Sequence, residues 1–457
     1  MNLSNSKSYL RSITAGFLVS IIPTLIDTLR AEPQAGVGLD SPSSSWKQPQ
    51  DPNKAEPFLG EHQGGIVTAP QHHLYFAAFD LLTTNRADVV KLLKAWTASA
   101  SRMAQGETAQ PMADGLKVAV APATEATNSE DSYETPNVSA MAADTGETIG
   151  MPPARLTLTF GFGASLFIKE GKDRFGLADL RPAALVDLPK FAGDQLAESR
   201  TGGDLSVQAC ADDPQIAFHA VRQLARIGEG VVQVRWTQTG FLPRHATGET
   251  PRNLMGFKDG TDNPPIGDSK AMDSAIWVGD EGPDWMRGGS YVVVRRIRIA
   301  LEHWDRMTTA FQEQTVGRHK ISGAPLGKTN EFERPDFDAT NQDGNAVIAE
   351  NSHLSIAAPA NNDGAQILRR GYSYNDGVNF TAERWPPWRQ GLEHDAGLFF
   401  ICYQRDPRTG FVKIFSKMAK LDMMNQFVTH VGGGLFACPP GVKQGEYIGQ
   451  RLFEKRY

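Results

Sequence analysis

The 457-residue sequence predicts an α+β protein of two ferredoxin-like halves, each an antiparallel sheet with helices packed on it. Three observations carry that expectation. A strand-like run from His73 to Leu81 leads into Arg86 to Met103, where Val89, Val90, Leu92, Leu93 and Trp96 recur at helical spacing. Arg155 to Phe162 alternates as a strand does, and a helix over Pro214 to Ile227 and a strand over Val231 to Trp236 complete a first unit. The theme then returns: Ser290 to Leu301 is β-rich, a helix begins near Glu302, Leu398 to Tyr403 reads as a strand, and Phe411 to Met424 leads into a helix. The expected domains are residues 57–243 and 244–457, although the two halves share no obvious residue-level identity.

Residues 1–35 read as an export signal, with Lys7 and Arg11 ahead of an apolar stretch, Ala15 to Ile26, that is too short to span a bilayer. Secretion without a stable membrane anchor is the expectation, and no good cleavage site marks the end of the signal. Residues 36–56 form a Pro-, Ser- and Gly-rich flexible linker, and Thr124 to Gly150 is a polar excursion. The net charge of -6, from 46 basic and 52 acidic residues, contains no long single-sign block and argues against nucleic acid as a partner. Cys210, Cys402 and Cys438 fall in no C-x-x-C or C-x-x-C-H arrangement, which argues against a cysteine zinc cage and covalent c-type haem. Cys402, inside the apolar run Leu398 to Tyr403, reads as a small buried hydrophobe.

Three segments carry candidate chemistry. In N-L-M-G-F-K-D-G-T-D-N-P, Asn253 to Pro264, an apolar lead-in ends on a glycine-flanked carboxylate, Asp259. Asp-Gly and Asn-Pro are also common turn pairs, so the segment reads locally as a surface turn too. E-N-S-H-L-S-I-A-A-P, Glu350 to Pro359, sets His353 among small and apolar residues, as an iron ligand or a hydrogen-bonded structural histidine. I-L-R-R-G-Y-S-Y, Ile367 to Tyr374, carries two consecutive arginines. If the backbone is extended there, their side chains point in opposite directions and only one of them faces an interior site.

Together and in this order, G-F-K-D-G-T, His353 and L-R-R-G-Y closely resemble the dye-decolorising peroxidases, most of all the periplasmic branch that includes the deferrochelatase/peroxidases of bacterial iron-uptake operons. The resemblance extends through E-H-Q-G-G-I (Glu61 to Ile66), P-P-A-R-L-T-L-T-F-G-F-G (Pro152 to Gly163), G-G-D-L (Gly202 to Leu205), G-R-H-K-I-S-G-A-P-L (Gly317 to Leu326) and F-I-C-Y-Q-R-D-P (Phe400 to Pro407). It implies one haem b per chain, bound in the C-terminal domain, with His353 as proximal axial ligand and Asp259 and Arg369 on the distal face. Gly260, Thr261 and Asp262, and the segment Ala358, Pro359 and Ala360, are then expected against the haem.

The residue types suit peroxide chemistry. One oxygen of the peroxide must lose a proton and the other must gain one before the bond between them breaks heterolytically. One placed carboxylate, Asp259, does both. Arg369 is a permanently charged planar donor for the departing oxygen. A ligating histidine normally donates its second ring N–H to a carboxylate or carbonyl, and Asp343, Asp395 and Asp406 are the expected candidates for His353. Electron transfer from large dyes through surface aromatics would use Trp385, Trp388, Tyr372 or Tyr374, each of which reads first as an ordinary core or rim aromatic.

The resemblance thus implies a peroxidase acting with hydrogen peroxide on dyes, phenols or porphyrinogens. Deferrochelatase activity, which takes iron from haem and leaves the porphyrin intact, is an alternative, and a non-catalytic haem-delivery protein is another. The expected partners are hydrogen peroxide, an organic reductant or haem, components of an iron-uptake system, and further copies of the chain in a homodimer or higher homo-oligomer. The family branch usually carries a twin-arginine export signal, whereas the corresponding stretch here is Ser6-Lys7-Ser8-Tyr9-Leu10-Arg11.

Overall fold

The computed structural model describes residues 51–111, 143–244, 249–382 and 390–454. The export-signal reading of 1–35, most of the 36–56 linker, most of the Thr124–Gly150 excursion, Trp385 and Trp388 lie outside the described residues.

The first half runs β1 (His73–Leu81), α1 (Arg86–Met103), β2 (Thr157–Gly163), β3 (Leu205–Ala211), α2 (Pro214–Ile227) and β4 (Val232–Phe241). The second half runs β5 (Ser290–Ile299), α3 (Thr309–Val316), α4 (His353–Ala357), β6 (Leu368–Arg369), β7 (Tyr372–Ala382), β8 (Gln390–Gln404), α5 (Phe411–Leu421) and β9 (Val428–Cys438). The first sheet is ordered β2-β3-β1-β4 and the second β7-β8-β5-β9, both antiparallel throughout. This is the same ferredoxin-like permutation twice. β2 pairs with β9 and β4 with β7, so the two sheets join edge to edge and close on themselves. Closure leaves no long free edge on the joined strands.

Strand periodicity sorts the side chains into two cores. On β1, Leu74, Phe76 and Ala78 point inside the closed sheet, where they meet Trp236, Val292, Val294, Phe399, Ile401 and Phe436. Ala77, Phe79 and Leu81 point outward to the helices. α1 starts where the Asn85 side chain accepts a hydrogen bond from the Ala87 amide, and it buries Val89, Leu92, Leu93 and Trp96 on that outer face. α2 starts on Asp213, whose carboxylate accepts from the amides of Gln215 and Ile216, with Pro214 in the first turn. The Trp96 indole N–H donates to the Leu224 carbonyl at 2.8 Å and ties α1 to α2.

Three strands escaped the sequence reading, of which β7 was touched only at its start by the extended reading of Ile367 to Tyr374. β3, L-S-V-Q-A-C-A, is buried on both faces and so lacks alternation. β9 contains Gly432, Gly433 and Gly434, a residue type depleted in strands. A Cβ on Gly433, at φ +145, would lie 2.1 Å from the Val294 carbonyl oxygen, so glycine is what lets β9 approach β5. The helix expected near Glu302 is a single turn, Leu301–Trp304. Cys210, Cys402 and Cys438 are all buried free thiols. Among the described residues no helix is long and apolar enough to cross a membrane.

Candidate functional site

The outer face of the second sheet is not closed over by helices as the first is. Ile297 and Ile299 of β5 and Leu398 and Phe400 of β8 instead form the floor of a cavity of about 1620 Å³, part of it open to solvent. α4, α5 and the loop from Asn253 to Asp262 form its walls, with Ile414, Phe415 and Met418 supplied by α5.

His353 opens α4 and lines this cavity. The helix begins there because the Ser352 side chain caps it, accepting from the Ser355 amide at 3.4 Å. His353 Nδ1 lies 2.7 Å from Asp422 Oδ2, and the Asp422 carboxylate is 2% exposed. Its other oxygen accepts from the Met424 amide at 2.8 Å and caps the turn after α5. Burial pulls the imidazole pKa down, but the Asp422 charge outweighs it and holds His353 above its ordinary value.

Asp422 is the histidine's partner, and the three carboxylates expected in that role lie elsewhere. Asp395 accepts from Arg296 and Asn379, Asp406 from Arg408, and Asp343 sits in an exposed turn with its amide on Asn341. With Nδ1 held by Asp422, Nε2 has no hydrogen-bond partner among the described residues.

Asp259 is set by its loop. Its amide donates to the Pro251 carbonyl at 2.8 Å, and the Asn253 side-chain amide donates to its Oδ2 at 3.4 Å. Gly260 follows at φ +109, a conformation that favours glycine, and a Cβ there would meet no atom within 4 Å. Arg369 Nη1 donates to Asp259 Oδ1 at 3.5 Å, the outer limit of a hydrogen bond, and both side chains keep about a third of their surface, 27% and 31%. The pair is in reach but not locked together.

Asn263, which had read only as part of a turn, fixes the strand that carries the arginine. Its side chain donates to the Arg369 carbonyl at 2.8 Å and accepts from the Arg369 amide at 3.0 Å. The alternation argument holds for the two arginines. Arg369 faces the cavity, while Arg370 is buried and donates to the Thr68 carbonyl and, at 2.6 Å, to Gln71 Oε1.

Gly260, Thr261, Asp262, Ala358 and Pro359 all line the cavity; Ala360 does not. Arg318, quoted above only as part of a motif, lines it as well. A second cavity of about 740 Å³ shares Asp259, Gly260 and Arg369 with the first and adds Glu249, Arg252, Asn263 and Arg370. The Asp259–Arg369 pair is therefore reached from two sides. Tyr372 and Tyr374, which read first as core or rim aromatics and second as candidate electron conduits, are fully buried inside the closed sheet and present no surface to a dye.

A closed double ferredoxin-like sheet, with a carboxylate-backed histidine and an Asp–Arg pair on one apolar cavity, defines a haem peroxidase of the dye-decolorising class. Residues 63–242 match the family model described as Dyp-type peroxidase, N-terminal, and residues 250–443 match the one described as Dyp-type peroxidase, C-terminal. The chain belongs to the Dyp-type peroxidase family. Deferrochelatase of Escherichia coli strain 536 is 36% identical over 414 residues, 88% of each chain. Among solved structures, an oxyferrous complex of DtpA from Streptomyces lividans is 37% identical, with 90% of this chain and 99% of that one aligned at a TM-score of 0.74. A DyP-type peroxidase from Cellulomonas bogoriensis is 34% identical, covering 88% and 99% at a TM-score of 0.72.

The protein is a haem-dependent enzyme, and hydrogen peroxide with an organic reductant, or haem itself, makes up its substrates. The residues present fit that cofactor. An imidazole with its second nitrogen free borders a large apolar-walled space, and Arg318, partly exposed, lines the same cavity.

Proposed function

We propose that His353 is the axial ligand of the haem iron, that Asp259 is the acid/base that moves the peroxide proton, and that Arg369 stabilises the charge on the departing oxygen. The observation that carries this reading is the Asp259–Arg369 pair at 3.5 Å on the cavity that also holds the Asp422-backed His353. Haem bound there supplies the iron that takes up peroxide and the electrons for its reduction. Asp422 accepts the Nδ1 proton of His353, which leaves the Nε2 lone pair for the metal and strengthens the imidazole as a donor. The Asp259 carboxylate, only loosely held by Arg369, takes the proton from one peroxide oxygen and returns it to the other. Arg369 keeps its charge throughout and needs no reorganisation to meet the leaving oxygen. Gly260, Thr261, Asp262, Ala358 and Pro359 line the cavity and would border the haem when it is bound. Dyes, phenols or porphyrinogens are the reductants this reading supports.

A second reading, iron release from haem with the porphyrin intact, is favoured by the name of the Escherichia coli relative. A haem-delivery protein without turnover has no use for a distal carboxylate and guanidinium. Export to the periplasm, a homodimer or larger homo-oligomer, and work beside an iron-uptake system go with this proposal by resemblance, and fractionation and gel filtration test them.

Stopped-flow spectra of the haem-loaded protein with stoichiometric peroxide test the main reading. A rapid change in the Soret band that a dye reverses is the expected result. A Soret band that peroxide leaves unchanged sinks it, and free porphyrin as product establishes iron release instead.

A further inference from the structure

Glu331 lines neither cavity, yet both of its carboxylate oxygens engage the loop that carries Asp259. Lys258 Nζ donates to Oε2 at 2.6 Å and Thr261 Oγ1 donates to Oε1 at 2.9 Å, so its two partners flank Asp259 and Gly260. Its carboxylate is 8% exposed. The backbone around it is fixed by Arg318, which donates to the Glu331 carbonyl at 3.0 Å and to the Gly323 carbonyl at 2.8 Å. Gly323, at φ +75, packs on the ion pair: a Cβ there would lie 2.7 Å from Lys258 Cδ and 3.3 Å from Glu331 Cγ. Burial would raise the Glu331 pKa, but the hydrogen bond from Lys258 leads the effects that reverse it, so the carboxyl stays ionised.

Lys258 borders the main cavity and is the chain neighbour of Asp259. Its ammonium sits on a flexible four-carbon stem, and without Glu331 the nearest carboxylate along the loop is Asp259. Asp259 already faces Arg369. A second cation would hold it ionised, and a carboxylate pinned by two cations is a poor proton acceptor.

We infer that Glu331 is a positioning residue for the peroxide reaction, which anchors on Thr261 and keeps the Lys258 ammonium off the Asp259 carboxylate; the inference rests on the role proposed for Asp259. The other titratable groups facing this region are Arg369, Arg318, Asp262, His353, Asp422 and His430 around the main cavity and Glu249, Arg252 and Arg370 around the smaller one. Lys320 nearby is held by Gln312. None of these is altered in the variants below.

The test compares haem-loaded parent, Glu331→Gln, Glu331→Gln/Lys258→Met and Asp259→Asn. Two profiles are measured against pH: the equilibrium affinity for cyanide and the bimolecular rate with peroxide. Cyanide enters as HCN and must give its proton to a nearby base, so its acid limb reports Asp259 without turnover. Glu331→Gln is expected to move both acid limbs down by about one pH unit, the size expected of a cation brought near a carboxylate. Adding Lys258→Met is expected to move them back. A Glu331→Gln profile superimposable on the parent overturns the inference, and so does a shift that Lys258→Met fails to reverse, since displacement of the loop alone would not depend on the lysine. If Glu331→Gln does not retain haem, Gly323→Ala, which crowds the same ion pair and removes no charge, must give a shift in the same direction; a parental profile there counts equally against it. If Asp259→Asn itself keeps the parental profile, the assignment of Asp259 is what fails.

Discussion

The two halves repeat one strand order and use the outer face of their sheets differently. In the first, α1 and α2 lie directly on β1 and β3, and Val89, Leu92, Trp96, Ile216 and Leu224 fill the space against the strands. In the second, α5 takes the place of α2, but the crossover from β5 to β7 spends residues 300–371 on short helices and loops. No long helix there covers Ile297, Ile299, Leu398 and Phe400, and they form the floor of the main cavity. The same scaffold thus carries a packed core where a regular helix crosses over and a site where irregular backbone does. Irregular backbone also supplies what a helix cannot: an aspartate on a tight corner, a histidine at a capped helix start, and glycine at positive φ.

The comparison breaks most visibly if the site residues also hold the fold together. His353→Ala is expected to abolish haem retention, read as loss of the Soret band, while far-UV circular dichroism stays parental because the closed sheet does not depend on it. Next in size, Asp259→Asn and Arg369→Leu should keep the Soret band and slow the reaction with peroxide by roughly 100- to 10,000-fold. Parental rates in both variants would dismiss the distal assignment. A third pair of variants sets the halves side by side. Leu92→Ala, in the packed half, should cost about 2–5 kcal/mol by urea denaturation whether or not haem is bound. Ile414→Ala, on the cavity wall, should cost less in the haem-free protein and more in the loaded one. Equal costs in the haem-free protein would mean that the cavity wall is packed as tightly as the first core.

Local chemistry was legible in the sequence, and distant contributions were not. Asp259, His353 and Arg369 sit in segments whose turn glycines, cap and strand parity are all local, and the structure brings the three to one cavity. Asp422 was missed because its only local signal is that of a turn cap after α5, and nothing in the sequence connects it with a histidine on another element. Asn263 and Glu331 were hidden in the same way, one as half of an Asn-Pro turn and the other in a polar loop. The choice between core aromatic and surface conduit for the two tyrosines was decidable. The alternation that sends Arg369 to the cavity and Arg370 inward also sends Tyr372 and Tyr374 inward, two and four positions further along.

The smallest expected effect belongs to the first half, where charged groups hold a loop instead of performing chemistry. His219 of α2 lies between two carboxylates from the end of the excursion, with Nε2 3.4 Å from Asp144 and Nδ1 3.2 Å from Glu147. Arg222 donates to Glu147 at 2.9 Å, and the amides of Ala109 and Gly146 donate to Asp144 at 2.7 Å. Burial acts to raise the pKa of both carboxyls, and these hydrogen bonds and charges reverse it and bring each down to about 2. Burial acts to lower the imidazole pKa, and the two carboxylates reverse that and raise it.

The signs then follow. The carboxylate contribution to stability is present above their unfolded values near 4 and is lost as pH falls toward 2, whereas the imidazolium contribution is full below 6.5 and is lost as pH rises through the raised value. His219→Gln should therefore lower stability by about 2 kcal/mol between roughly pH 4.5 and 6.5, the size of a hydrogen-bonded charge, and by less above it. Thermal melts of parent and variant across that range check this. A deficit that does not vary with pH would show that His219 acts there by packing alone, with no charge on the ring.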